Sequence, residues 1–283
     1  MSGARLAGLS SIAFAILFIL EPREARAQAA FAPPETVVVN SGGLRLKALL
    51  WRPSGPGPFP AVVFNHGEAP QAMTAAQAET VIRSALGPAF QRHGYLLLAP
   101  FRRGEGLSRG EGTSIQEAVA KRAAAATDSG TLHDSLLATE QLDDVRAAIA
   151  YVRTRPDVNR DRVSVAGHSQ GGVLAILAGA RDSTLYSVLD FAGAERGWNF
   201  PSIRRLLTDA VGRLNVPLLM VHAANGNPQP GIAMHEALKA RGRPSRLLVY
   251  PPFGSTFEEA HRFVLLAIPK WETDVFAFLE HRS

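Results

Sequence analysis

The chain has 283 residues, enough for one large α/β domain or two small ones, and its 46% hydrophobic and 19% charged content suits a globular protein with a sizeable core. It has no cysteine, which excludes disulfides, thiolate metal sites, a Cys nucleophile and a lipoprotein lipid anchor. The formal charge of +5 is carried by scattered Arg rather than by a basic run interleaved with aromatics, which argues against a nucleic-acid partner.

The N-terminus reads as a targeting segment. Arg5 gives a positive start, Leu6 to Leu20 is apolar, and Glu21 to Ala27 is polar and ends Ala25-Arg26-Ala27, an A-x-A cleavage pattern. Residues 1–27 are therefore expected to be a secretory signal peptide, cleaved after Ala27 to send the protein to a periplasm or the medium. The apolar run is shorter than the ~20 residues of a spanning helix, so no stable membrane span is expected after cleavage, with an uncleaved N-terminal anchor as the alternative. Residues 28–35 read as a linker, and residues 36–283 as one domain.

Within that domain strands and helices alternate. Thr36 to Asn40 and Leu44 to Trp51 read as strands joined by Ser41-Gly42-Gly43, a hairpin signal. Ala61 to Phe64 and Tyr95 to Pro100 are continuous apolar runs, as strands buried on both faces should be. Thr74 to His93 has helical periodicity, with Gly87-Pro88 as a break. Residues 108–131 are Gly-, Ala- and Thr-rich and read as a small lid or a loop insertion. Leu132 to Arg155 reads as one long amphipathic helix with an apolar stripe of Leu136, Leu137, Val145, Ile149 and Val152. Asp143 and Asp144 are adjacent, so on a helix they point apart; they read as solvated or ion-paired, not as a catalytic pair. Pro156 to Asp161 is a turn. Strands follow at Arg162 to Gly167, Ser187 to Gly193, Val216 to His222 and Arg246 to Tyr250, with helices at Pro201 to Val211, Ile232 to Arg241 and Lys270 to Glu280. The expected fold is α/β, a mainly parallel eight-stranded sheet with helices on both faces. Ligands in such sheets bind at the C-terminal strand ends.

One stretch carries chemistry directly. Gly167-His168-Ser169-Gln170-Gly171 follows a β-branched strand and precedes a small-residue apolar segment. That context puts Ser169 on a sharp strand-to-helix turn, where flanking glycines avoid clashes across the turn. The following helix aims its first N–H groups, that of Gln170 included, at charge developing near the Ser. A Ser hydroxyl is a poor nucleophile at neutral pH and needs a base within hydrogen-bond reach.

The pentapeptide resembles the nucleophile elbow of the α/β-hydrolase fold. Asn65-His66-Gly67-Glu68 is similar to the family's His-Gly-X after the third strand, which implies the backbone N–H of Glu68 as second oxyanion donor. His66 itself reads as structural or as a pocket wall. Phe101-Arg102-Arg103-Gly104-Glu105-Gly106-Leu107-Ser108 resembles the Arg-Gly-X-Gly-X-Ser turn after the fourth strand; Arg102 and Arg103 are expected in structural ion pairs, with a place facing substrate as the alternative. Tyr250 to Phe263 is similar to dienelactone-hydrolase-like and prolyl-oligopeptidase-like serine hydrolases, where Gly-His-x-Phe carries the base; here Ala260 replaces the Gly, and His261 is the implied base.

The acid departs from the pattern. The family's Asp follows the seventh strand, but His222-Ala223-Ala224-Asn225-Gly226-Asn227 has Gly226 at that position. Three readings stand: Glu195, after the sixth strand, is the acid; Asn225 or Asn227 orients His261 without charge; or the protein is a weakened hydrolase. The resemblance implies a serine esterase acting on a small-molecule ester, with no metal and no cofactor implied; export is expected from the N-terminal segment. Dienelactone hydrolases use Cys as nucleophile, so Ser169 does not point to a dienelactone substrate. A small peptidase and a non-catalytic binding protein are the alternatives. Pocket walls are expected from 108–131 and from Ala194 to Ile203, Trp198 and Phe200 among them.

Overall fold

The apolar runs assemble into one sheet in this computed structural model, which describes residues 32–68, 80, 82–123 and 128–281. The expected signal peptide, 1–27, the first half of the linker, 28–31, the start of the expected helix, 74–79 with 81, and 124–127 of the expected insertion lie outside the described residues. The strands are β1 (Glu35–Ser41), β2 (Leu44–Trp51), β3 (Phe59–Asn65), β4 (Leu96–Pro100), β5 (Val158–His168), β6 (Val188–Phe191), β7 (Leu218–Ala223) and β8 (Ser245–Tyr250). Their order is β1-β2-β4-β3-β5-β6-β7-β8. The first two pairings are antiparallel, only β1 and β2 being joined by a short hairpin, and the rest are parallel.

Because side chains alternate across a strand, each central strand feeds two cores. Ala61 and Val63 face one side, with α2 (Ile115–Ala123), α3 (Ser129–Leu136), α4 (Leu142–Thr154), α5 (Gln170–Arg181), α6 (Pro201–Arg213) and α7 (Gln229–Ala240). Val62 and Phe64 face the other, with α1 (Gly87–Arg92), α8 (Phe257–His261), α9 (Phe263–Leu266) and α10 (Ile268–His281). Among the described residues, no helix is long and apolar enough to cross a membrane.

Several expected boundaries change; β6, expected over Ser187 to Gly193, is Val188–Phe191. Gly87-Pro88 does not break its helix: a π-helical turn, Ile82–Leu86, runs into α1 with Pro88 in the first turn, where no N–H is needed. Gly87 is there for packing, since a Cβ would lie 2.1 Å from the Trp51 ring. The long helix has a π-helical segment, Leu137–Gln141, between α3 and α4. Thr139 bonds back to the Ser135 carbonyl at 2.7 Å, which loosens the ladder, and Gln141 turns inward to Arg102 at 3.0 Å. Finally, β5 starts at Val158, because Val158 pairs with Phe59 where a turn was expected. The stripe residues of the long helix are all buried.

Candidate active site

Strand register brings four loop origins to one level. Asn65 pairs with Gly167, Gly167 with Asp190, and Asp190 with Met220. The chain just beyond these residues carries Gly67, Ser169, Glu195 and His222. One edge of the sheet therefore gathers residues scattered over the sequence.

Ser169 turns the chain with φ 56° and ψ −120°, a left-handed conformation that costs an L-residue energy. Neighbours impose it. Its N–H donates to the Phe191 carbonyl at 2.8 Å, and its own carbonyl accepts from Gly172 at 2.9 Å. Both elbow glycines are required by contact: a Cβ at Gly167 would lie 2.0 Å from the Gly171 oxygen, and one at Gly171 the same distance from the Asn65 oxygen. Gly67 is less tightly placed but still close, since its Cβ would meet that of Ser169 at 3.1 Å. Gln170 opens α5, so its N–H has no acceptor inside the helix. Glu68 lines the same cavity as Ser169.

His261 ends α8, whose start is fixed by a reciprocal cap between Thr256 and Glu259. The Phe257 ring stacks on the imidazole at 5.5 Å, and His168 Nε2 donates to the His261 carbonyl at 2.7 Å. So held, His261 Nε2 sits 2.9 Å from Ser169 Oγ, and its Nδ1 sits 2.7 Å from Glu195 Oε2. The hydroxyl can donate to Nε2 while Nδ1–H donates to the carboxylate. That tautomer lets an imidazole take a proton from a serine.

Glu195 reaches this place by another strained turn. Ala192 and Ala194 both have positive φ, 56° and 58°, and among the described residues Ser169 is the only other non-glycine with that sign. Asn227 Nδ2 donates to the Glu195 carbonyl at 2.9 Å, and His222 Nδ1 donates to Oε1 at 2.7 Å. Burial alone would raise this carboxyl, but the hydrogen bonds from His222 and His261 outweigh it and bring it down to about 2. Asn225 does not approach His261 through any hydrogen bond; it spans to Phe253, accepting from the N–H at 2.8 Å and donating to the carbonyl at 3.2 Å. Gly226 fits because of Glu195: a Cβ there would lie 3.1 Å from both carboxylate oxygens.

The supporting charges are buried too. Arg102 is fully buried and ties four segments together, bonding Gln141 Oε1, the His66 carbonyl, Glu105 and Gln170 Oε1 at 2.7–3.3 Å. Arg103 makes a forked pair with Asp144 at 2.7 and 2.9 Å, and Asp144 also accepts from Ser41. Asp143, facing the other way, meets only Arg146 at the surface. Burial, with the Arg102 charge, lowers His66 to about 3, so His66 is a neutral wall residue. His168 is lowered to about 3 as well, by burial and by the charge of His261.

Two cavities open at Ser169. The smaller, about 290 Å³, is lined by Leu137, Val173, Ala194, Phe200 and Ile203, with His133 and Asp134 as its polar side. The larger, about 1160 Å³, runs past Glu105, Arg109, Gln116 and Arg262. Walls thus come from both expected segments, since α3 packs against α6. Trp198 is the exception, because it packs against the core.

Sequence reading gave no role to His222 or Asp190. Their signal was an ionisable residue inside an otherwise apolar strand. Asp190 is fully buried between two glycines, each of whose Cβ would lie 2.1 Å from Oδ1. Burial pushes its carboxyl up to about 6, only partly offset by His222 and the Gly193 backbone.

Comparison with known proteins agrees with this geometry. The model of the dienelactone hydrolase family matches residues 46–264. The uncharacterized peptidase YtmA of Bacillus subtilis is 22% identical over 269 residues, 83% of this chain and 91% of its own. A Klebsiella pneumoniae structure assigned as a dienelactone hydrolase superposes with a TM-score of 0.62 at 21% identity, over 88% of this chain and 98% of its own. An acylaminoacyl peptidase of Pyrococcus horikoshii superposes with a TM-score of 0.62 at 15% identity, over 90% of this chain but 42% of its own. At these identities the structures share the α/β-hydrolase fold.

Proposed function

The chain belongs to the dienelactone hydrolase family, and from that premise we propose that it is an exported serine hydrolase that cleaves carboxylic esters. The observation that carries this reading is the unbroken hydrogen-bonded line from Ser169 Oγ through His261 to Glu195, at 2.9 and 2.7 Å. In the proposed reaction Ser169 Oγ attacks the ester carbonyl as His261 Nε2 takes its proton. The backbone N–H groups of Gln170 and Glu68 receive the developing oxyanion. His261 returns the proton to the departing alkoxide, leaving an acyl-enzyme on Ser169. A water then attacks with His261 again as base. Glu195 keeps the proton of His261 on Nδ1 and stabilises the imidazolium.

A fluorophosphonate probe tests the nucleophile. Wild type should label and Ser169→Ala should not; an unlabelled wild type would sink the reading. Turnover of p-nitrophenyl esters of graded acyl length identifies the acyl preference. A peptidase is the second reading, favoured by the peptidase names of the Bacillus and Pyrococcus proteins. Turnover of peptide anilides with no ester turnover would select it. Export rests on the Ala25-Arg26-Ala27 pattern, and an N-terminus at Gln28 in protein recovered outside the cytoplasm is the expected result.

A further inference from the structure

We infer that His222 is a positioning residue for the reaction: it donates from Nδ1 to the second oxygen of Glu195 and so holds that carboxylate in line with His261. The inference rests on the serine-hydrolase reading above and goes beyond it to a residue outside the Ser-His-Glu line. Glu195 bridges two imidazoles, with Oε2 on His261 Nδ1 and Oε1 on His222 Nδ1, both at 2.7 Å. The side chains of Glu195 and His222 have no exposure at all. A buried carboxylate oxygen without a donor is costly, so His261 alone would leave half of the acid unsatisfied. His222 supplies the missing donor from the neighbouring strand end.

The tautomer of His222 follows from its other nitrogen. Nε2 is buried and has no hydrogen-bond partner among the described residues. With the proton on Nδ1, Nε2 is a bare acceptor, and only an acceptor is orphaned; the reverse tautomer would face the carboxylate with a lone pair. The ring is also held sterically. A Cβ at Gly231, in α7, would lie 2.5 Å from Nε2, so the absence of a side chain there gives the imidazole its place. Asp190 also lies within electrostatic reach of His222, but neither of its oxygens has a side-chain hydrogen-bond partner among the described residues, so it does not hold the Nδ1 proton.

Two substitutions of similar polarity separate positioning from bulk. His222→Asn places an amide donor where Nδ1 sits, whereas His222→Gln places one near Nε2. Asn should keep kcat within about fivefold of wild type, while Gln and Leu should lower it roughly 30- to 300-fold with KM little changed. On a Glu195→Gln background, His222→Gln should add nothing, because the group it acts through has lost its charge. Equal kcat for Asn and Gln, or losses that multiply on that background, would overturn the inference. If the Leu variant does not fold, the Asn and Gln pair decides. Carboxyl titration of Glu195 by NMR reads the same contact without turnover: its pKa should rise by more than about one unit in the Gln variant and not in Asn. An unlabelled, inactive wild type would fault the hydrolase reading, whereas a labelled wild type with indifferent His222 variants would fault this one.

Discussion

The turns that leave β5 and β6 start from paired residues, Gly167 and Asp190, yet they are specified in opposite ways. The β5 turn is written locally. Five consecutive residues contain the proposed nucleophile, its left-handed backbone and the glycines that let neighbouring backbone approach within contact. The β6 turn also takes positive φ, at Ala192 and Ala194, with no glycine at either position. Its Glu195 is fixed by groups far along the chain: His222, Asn227 and His261. A reacting group can thus be aimed by its own turn or by its partners, and the second way leaves little trace in the local sequence.

The sharpest way to break this comparison is to disarm the second turn. Glu195→Gln keeps the shape but removes the charge, and kcat should fall roughly 10²- to 10⁴-fold in ester turnover with labelling of Ser169 correspondingly slowed. An unchanged rate would mean that the β6 turn aims nothing. Gly226→Asp comes next. It restores the residue type that the family pattern has after β7, but its Cβ would stand about 3.1 Å from both oxygens of Glu195. Two carboxylates would then compete for one imidazole, and activity should drop by about tenfold or more. A rise instead would show that the acid belongs on β7.

Stability separates the two buried carboxyls. Glu195 lies below its ordinary range, so its contribution is present above about 4.5 and lost as pH falls toward about 2. Asp190 has the opposite sign: raised from 3.8 to about 6, it favours the fold below about 4 and loses that share as pH rises through 6. Urea denaturation of wild type and Asp190→Asn should show the variant gaining on wild type by about 2 kcal/mol between pH values of about 4 and about 8. His66 and His168 are common to both proteins and cancel in that difference. The smallest effect is expected at the left-handed alanines. Ala194→Gly should stabilise by about 0.5 kcal/mol, the relief of backbone strain exceeding the entropy cost of glycine.

The same contrast explains what was legible from sequence. All eight strands follow from apolar runs and turn residues, whereas their order in the sheet is set by pairings between distant segments, and Ser169 and His261 sit in short patterns with their own local logic. The boundary errors have local causes: the Val158 bridge to Phe59 lengthens β5, and the left-handed Ala192 ends β6 early. Glu195 was one of three readings because nothing adjacent distinguishes it from an exposed loop Glu. His222 was passed over because its partner lies 27 residues earlier in the chain, across a strand pairing. Arg102 was rightly taken as structural, but its four segments meet only in space.

The three left-handed residues, Ser169, Ala192 and Ala194, have a consequence for the order in which the molecule assembles. None would hold that conformation in an isolated segment, because the bonds that impose it cross strands: Ser169 N–H to Phe191, and Ala192 N–H to Val221. The reactive arrangement therefore appears only once β5, β6 and β7 are side by side and the chain beyond β8 has returned with His261. During synthesis the nascent chain carries its serine long before it carries the proposed Ser-His-Glu line, which is assembled only by the last stage of folding.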